Sequence, residues 1–249
     1  MSSVANRRSA ADVYLSEREV AMVSASGSLW RHEDGALAAC LAALIDRLRE
    51  DGGSRGLRIW LGAALCRPVR LAPIVGARTR SERLKLVELA AVTQSGLQAP
   101  CRVSIDITGG SDDAVAVVVE ERVLTAIEQA LAPLKSRAVS IQPWWAQALD
   151  AAMKSNPALR ALGVSEGRAL TFMTGRGRHF DSAHTLYPVE TAESASAAFA
   201  RALVSAMISP DDALAVALDW SSSPDAKQGL PEDKSAVFTP WVRRLGASS

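Results

Sequence analysis

The stretch that decides the fold spans residues 101–145 and reads CRVSIDITGG SDDAVAVVVE ERVLTAIEQA LAPLKSRAVS IQPWW. Apolar and polar residues alternate over 103–108, which predicts a strand with one buried face. A turn of glycine, serine and aspartate follows over 109–113, because glycine tolerates positive φ and aspartate bonds nearby backbone. Residues 114–119 are almost wholly apolar and predict a second strand.

The second part of this stretch predicts a helix and a third strand. Residues 138–141 return as a strand that Pro143 closes, ahead of the pair Trp144 and Trp145. The order strand, turn, strand, helix, strand carries no evident nucleophile or metal ligand, so it predicts a packing unit. Apolar residues recur at the helical period and form one stripe of Val123, Leu124, Ile127, Ala130, Leu131 and Leu134.

The composition is that of a soluble globular protein. The chain has 249 residues, of which 48% are hydrophobic and 22% are charged. A net charge of +1 gives no long-range field that would attract nucleic acid or an anionic membrane. No apolar run approaches the about 20 residues that span a bilayer, and the N-terminus lacks the apolar core of a secretory signal. The three cysteines are widely spaced among apolar neighbours, which favours buried reduced thiols and a cytoplasmic location.

The chain on either side of this stretch predicts two α/β halves, each with a hairpin, a helix and a closing strand. Before it we expect a hairpin over 13–23, a helix capped by Asp34, strands over 57–65 and 67–73 that pair side by side, and a helix capped by Ser81. After it we expect a helix to about Ser155, strands over 168–174 and 183–187, a helix from Thr191, and a strand over 213–220.

Two short segments have the composition of a binding site. His179, Asp181 and His184 lie close in sequence, but an extended strand places the two imidazoles on opposite faces, so we expect no metal there. Residues 175–178, Gly-Arg-Gly-Arg, resemble a phosphate cradle. Because they lead into a strand instead of a helix N-terminus, a basic hairpin turn is the favoured interpretation.

Arginines and tryptophans supply the other candidates. We expect at least one of Trp144 and Trp145 to be a core residue. The alternative is that the pair forms a hot spot that faces a partner. The sequence carries no signature of a serine hydrolase, a P-loop enzyme or a zinc protease, so nothing in it argues for an enzyme. A basic group without interleaved aromatics predicts an anion-facing edge better than a nucleic-acid site, and it comprises Arg67, Arg70, Arg78, Arg80 and Arg83.

Taken together, the order of elements resembles the actin-like assembly proteins of bacterial pilus and secretion machines, the PilM proteins and the cytoplasmic region of GspL. The likeness lies in the hairpin 13–23, the strand 57–65 with the Ser81 helix, the unit 101–143, and the hairpin and helix over 168–207. It implies actin-like (ribonuclease H-like) α/β lobes: a first lobe over 12–100, a small inserted ββαβ subdomain over 101–143, a reduced second lobe over 144–220, and a polar tail over 221–249.

The chain departs from the active members of the wider actin-like ATPase superfamily, which carry Asp-x-Gly in their phosphate hairpins. The first turn has Tyr14 and Ser16 at the corresponding positions, and the second hairpin corresponds to residues 171–175. The loss of these carboxylates removes groups that hold Mg²⁺ and position water, so we expect no ATP hydrolysis, while nucleotide binding stays open. The resemblance thus implies vestigial phosphate loops at Ser16, Glu17, Gly175, Arg176 and Gly177.

The function implied by the resemblance is a non-catalytic cytoplasmic scaffold, peripheral to the inner membrane through its partners. It implies capture of a short cytoplasmic peptide from a membrane-anchored assembly protein, without a cofactor, a metal or nucleic acid. The five arginines together with Trp144 and Trp145 are the candidate partner-binding residues. The alternatives are an actin-like ATPase or phosphotransferase with diverged phosphate loops, and a regulatory module with other partners.

Overall fold

The computed structural model describes residues 10–23, 28–52, 56–71, 77–98, 100–105, 114–134, 136–176, 179–187, 194–218 and 242–244. The strands are β1 (Ala11–Leu15), β2 (Glu19–Val23), β3 (Leu29–Glu33), β4 (Gly56–Leu61), β5 (Cys66–Leu71), β6 (Cys101–Ile105), β7 (Ala114–Glu120), β8 (Arg137–Pro143), β9 (Ala161–Glu166), β10 (Ala169–Arg176), β11 (His179–Leu186), β12 (Ala213–Leu218) and β13 (Val242–Arg244). The helices are α1 (Leu37–Glu50), α2 (Arg80–Ser95), α3 (Glu121–Leu131), α4 (Trp144–Ser155) and α5 (Ala195–Ala206). None of the helices in these ranges is long and apolar enough to cross a membrane.

The chain divides into two compact units. Unit 1 comprises residues 1–62 and 122–142, and unit 2 comprises residues 63–121 and 143–249. Unit 1 holds a five-stranded sheet in the order β3-β2-β1-β4-β8. Unit 2 holds a five-stranded sheet in the order β11-β10-β9-β12-β13 and a three-stranded sheet in the order β5-β7-β6.

The sheet of unit 1 begins as an antiparallel meander of β1, β2 and β3, after which the chain crosses through α1 to β4, parallel to β1. The predicted hairpin over 13–23 is confirmed. The stripe on the predicted helix is also confirmed, since Val123, Ile127 and Leu131 of α3 are buried. Strand β3 was not expected, and Asp34 does not cap α1, which begins after Ala36 without a side-chain cap.

The small sheet of unit 2 differs from the predicted pairing. Strand β5 pairs with β7 and not with β4, while β8 lies beside β4 in unit 1. The turn formed by 63–65 ends the strand predicted over 57–65 and redirects the chain. Strand β7 is apolar on both faces, which suits the central position between β5 and β6. Helix α2, which Thr79 caps in place of Ser81, covers one face of this sheet.

The large sheet of unit 2 repeats the arrangement of unit 1. Strands β9, β10 and β11 form an antiparallel meander, and the chain crosses through α5 to β12, parallel to β9. The predicted strand over 168–174 corresponds to β10, whereas β9 was not expected, because Gly163 interrupts its apolar pattern. The predicted tail over 221–249 lies outside the described residues except for β13, which pairs with β12.

Gly163 of β9 permits the close approach of α5. The core on this face of the sheet joins Ala161, Leu170 and Phe172 to Phe199 and Leu203 of α5. A Cβ atom on Gly163 would stand 2.6 Å from Cε2 of Phe199, a separation that real Cβ atoms do not adopt. The absence of a side chain at this position therefore sets the distance between the helix and the sheet.

We expect Gly163→Ala to lower the free energy of unfolding by about 1–3 kcal/mol, because the new methyl group forces Phe199 to move in a packed core. Gly35→Ala is the matched control, since its Cβ would meet no atom within 4 Å. Urea unfolding of both variants and of Gly163→Ala/Phe199→Leu measures the effect. Equal losses for the two glycine variants, or no rescue by the smaller side chain at 199, would contradict this account of the packing.

Candidate functional site

The first hairpin turn of unit 1 consists of Ser16, Glu17 and Arg18. The backbone N–H of Ser16 donates to the carbonyl of Glu19 at 2.8 Å. The Ser16 hydroxyl donates to the same carbonyl at 3.4 Å and accepts from the backbone N–H of Arg18 at 3.4 Å. Ser16 thus shapes its own turn, while the side chains of Glu17 and Arg18 face solvent.

The acidic residue of β1 is Asp12, which is 2% exposed. Its Oδ2 accepts from Nη2 of Arg58 at 2.7 Å, and its Oδ1 accepts from Nε1 of Trp60 at 3.2 Å. Both donors belong to β4, and the parallel register places Asp12 directly opposite Arg58. Sequence reasoning missed this cluster, although a carboxylate within an apolar strand was a signal that a buried partner exists.

The first hairpin of the second sheet joins β9 to β10 through Gly167 and Arg168. Gly167 adopts a φ of 55°, which glycine reaches without steric cost. Glu166, the last residue of β9, is 5% exposed, and its Oε2 accepts from the backbone N–H of Ala63 at 3.1 Å. This hairpin stands where the β1–β2 hairpin stands in unit 1, and it reads Ser-Glu-Gly-Arg over 165–168, compared with Ser-Glu-Arg over 16–18.

The residues predicted as a second phosphate loop lie in β10 and at its end, not in the hairpin between β9 and β10. Residues 171–175 lie within β10, with Gly175 and Arg176 at its end, and Thr171 is fully buried. Gly177 and the side chain of Arg176 lie outside the described residues. Because the sequence did not reveal β9, residues 171–175 were predicted in the first hairpin of this sheet, whereas the first hairpin lies between β9 and β10.

The five predicted arginines do not form one cluster. Arg67 extends along the α2 face of β5, where its Nη1 donates to the carbonyl of Ser95 at 2.7 Å and so neutralises the C-terminus of α2. Arg78 and Arg83 are exposed at the other end of this helix, which is about 24 Å long. Arg70 is exposed on the opposite face of β5 from Arg67, by the alternation of the strand. Arg80 begins α2, and its side chain lies outside the described residues.

The two tryptophans are core residues. Trp144 is 1% and Trp145 is 4% exposed at the start of α4, so they do not form a surface hot spot. Cys66 lies beside Trp145. Burial, and then the charge of the nearby Glu166, raise the pKa of the Cys66 thiol well above its usual value, whereas the neighbouring Trp145 indole lowers it.

The histidine segment does not provide a metal centre among the residues described. The side chains of His179 and Asp181 lie outside the described residues, and His184 packs against the edge of Phe172 with ring centroids 5.4 Å apart. Desolvation there lowers the pKa of His184. Within the described ranges, no group of three or more histidine, cysteine or acidic side chains is placed to hold a metal ion.

Two sheets that each combine a three-stranded meander with a parallel fourth strand define the actin-like fold, and solved structures share it. A Bacteroides thetaiotaomicron protein with an actin-like ATPase fold and unknown function matches 94% of this chain and 86% of its own, with a TM-score of 0.57 and 10% identity. PilM in the PilM–PilN type IV pilus biogenesis complex matches 73% of this chain and 62% of its own, with a TM-score of 0.52 and 13% identity.

A further structural neighbour is the cytoplasmic domain of EpsL, an inner membrane component of the type II secretion system of Vibrio cholerae. It matches 72% of this chain and 71% of its own, with a TM-score of 0.45 and 13% identity. No protein-family profile and no curated protein sequence matches the chain. The actin-like fold predicted from the sequence resemblance is therefore confirmed, and identities this low establish the fold alone.

We expect Asp12 and Arg58 to be strongly coupled. Asp12→Ala should lower the free energy of unfolding by about 1–3 kcal/mol, because Arg58 and Trp60 lose a buried acceptor. A double-mutant cycle with Arg58→Ala, read by urea unfolding, should give a coupling energy of about 1 kcal/mol or more. The control cycle uses the exposed pair Asp46 and Arg49, for which at most about 0.5 kcal/mol is expected. Equal couplings in the two cycles would show that burial adds nothing to the Asp12 pair.

Proposed function

We propose that this protein is a non-hydrolysing actin-like scaffold that docks partner proteins in an envelope assembly complex. The proposal rests on the hydrogen bonds accepted by the acidic residues on the first strand of each five-stranded sheet. Asp12 is bound to Arg58 and Trp60, and Glu166 is bound to the backbone of Ala63. Both carboxylates are buried and accept hydrogen bonds from groups of the protein itself.

The chemistry of hydrolysis needs carboxylates that face the phosphates. Mg²⁺ is held by oxygen ligands, and the attacking water must be oriented beside it. If Asp12 moved to such a position, it would leave a guanidinium and an indole N–H without their acceptor. The hydroxyl of Ser16 is likewise engaged in its own turn. These contacts favour a binding role over an enzymatic one.

The partner class is inferred from a neighbour and from the charge on α2. The PilM neighbour was solved in a complex with PilN, and we infer a comparable role for this chain, at the cytoplasmic face of the inner membrane. The start of α2 carries the exposed side chains of Arg78 and Arg83. The helix dipole favours acidic residues at this end, so basic residues there reduce stability and suit contact with an acidic peptide.

The first test is turnover. With Mg²⁺ and ATP, the purified protein should release phosphate at the background rate, and replacing Glu17 or Glu166 by Gln should change nothing. A colorimetric phosphate assay under steady-state conditions measures this. Phosphate release above background that disappears in the Glu17→Gln variant would favour the alternative, an actin-like phosphotransferase with diverged loops.

The second test is charge reversal at α2. Arg78→Glu/Arg83→Glu should reduce capture of a membrane-anchored partner from extracts of the native cells by about three- to tenfold at low salt. The reason is that charged residues at the edge of an interface act mainly on the association rate. The melting temperature should stay equal or rise slightly, because glutamates at this end suit the helix dipole.

The matched control is Arg49→Glu/Lys154→Glu, which changes the net charge equally at exposed positions on α1 and α4. It should capture the partner as well as the unmodified protein does. Equal capture by both double variants at low salt would show that the start of α2 is not the docking surface.

A further inference from the structure

The segment that joins β4 to β5 is fixed by backbone hydrogen bonds. It reads Gly62, Ala63, Ala64, Leu65, and the methyl groups of its two alanines cannot form hydrogen bonds. The N–H of Gly62 donates to the carbonyl of Leu15 at 2.8 Å and extends the ladder of unit 1. The N–H of Ala63, in unit 2, donates to Glu166.

Glu166 is the acceptor for a buried amide from a distant part of the chain. Ala63 is 1% exposed, and 103 residues separate it from Glu166. A backbone N–H buried without an acceptor is unfavourable, because it has lost its hydrogen bond to water. A bond from an amide to a carboxylate is also stronger than one between neutral groups. Glu166 of the β9–β10 hairpin therefore holds the connection at Ala63, one residue after the bond that Gly62 makes to Leu15.

Cys66 follows this connection directly and reports on its state. It is fully buried, with the charge of Glu166 and the indole of Trp145 near its sulfur. A thiol in this position reacts with a water-soluble reagent only when the structure around it opens. Labelling of Cys66 therefore measures how often the connection is released.

We propose that Glu166 is a latch on the 62–65 connection. When the bond to Ala63 is lost, the connection and Cys66 open locally while the rest of unit 2 stays folded. The latch is a conformational device that is independent of the proposed scaffold function. It gives this fold a segment that opens at lower cost than the sheets on either side.

The test is the rate of Cys66 alkylation when the folded chain is exposed to iodoacetamide, measured by mass spectrometry of peptides that separate Cys66 from Cys40 and Cys101. Glu166→Ala should speed labelling by about tenfold or more, since a buried donor is left without its acceptor. Glu166→Gln should lie between Glu166→Ala and the unmodified protein, because its amide oxygen still accepts from Ala63.

Leu203→Ala, in the core on the α5 face, is the control for general destabilisation. If it speeds Cys66 labelling as much as Glu166→Ala does when their overall stabilities are matched, the opening is global and the latch is refuted. Unchanged labelling in both Glu166 variants also refutes it.

The unmodified protein provides an independent measurement. Local opening exposes little surface, so Cys66 labelling should depend weakly on urea at low concentrations and follow global unfolding only at higher ones. A labelling rate that follows global unfolding from zero urea upward overturns the proposal, even if Glu166→Ala does not fold.

Discussion

The buried carboxylate of Asp12 is the interaction on which the first sheet depends. Strands β1 and β4 are parallel, so no tight turn between them can set their register. Asp12 performs this task, because it accepts from Arg58 and Trp60 of β4 in one register alone. A slip by one residue would turn the carboxylate toward the opposite face and leave both donors without an acceptor. The register of β1 in turn positions β2, β3 and the turn of Ser16.

The second sheet fixes the same parallel pairing by different means. Arg160 and Asp212 precede β9 and β12, where they share a backbone hydrogen bond of 2.9 Å and an ion pair of 3.7 Å. Both side chains are more than a third exposed, so the ion pair contributes little to stability. The contact of Phe199 with Gly163 acts elsewhere, since it holds β9 close to α5, the helix through which the chain crosses to β12. The two sheets share a topology, but the buried carboxylate that joins β1 to β4 in the first sheet is matched in the second by an exposed ion pair and a backbone hydrogen bond.

The sequence predicted the structure well where its apolar residues follow a single period, either that of a strand or that of a helix. The hairpin over 13–23 and the stripe through Ile127 follow from alternation and from the helical period, and the structure contains both. It was uninformative about partners distant in the chain. Strand β5 finds β7 across an intervening helix, and Arg67 neutralises the C-terminus of α2 although its sequence context resembles a surface patch. Such pairings depend on tertiary packing, which no local pattern encodes.

The first hairpin turns of the two five-stranded sheets differ in length by one residue. This difference determines whether the glutamate of each hairpin, Glu17 or Glu166, lies in the turn or in the strand. The turn of unit 1 holds three residues, and Glu17 stands within it, exposed. In the second sheet the positive φ of Gly167 closes a turn of two residues, which makes Glu166 the last residue of the strand. Strand alternation then directs its side chain to the face opposite Phe199, where it binds an amide in the core. The carboxylate of Glu166 therefore stabilises the fold from inside the core, whereas that of Glu17 in the longer turn is left to solvent.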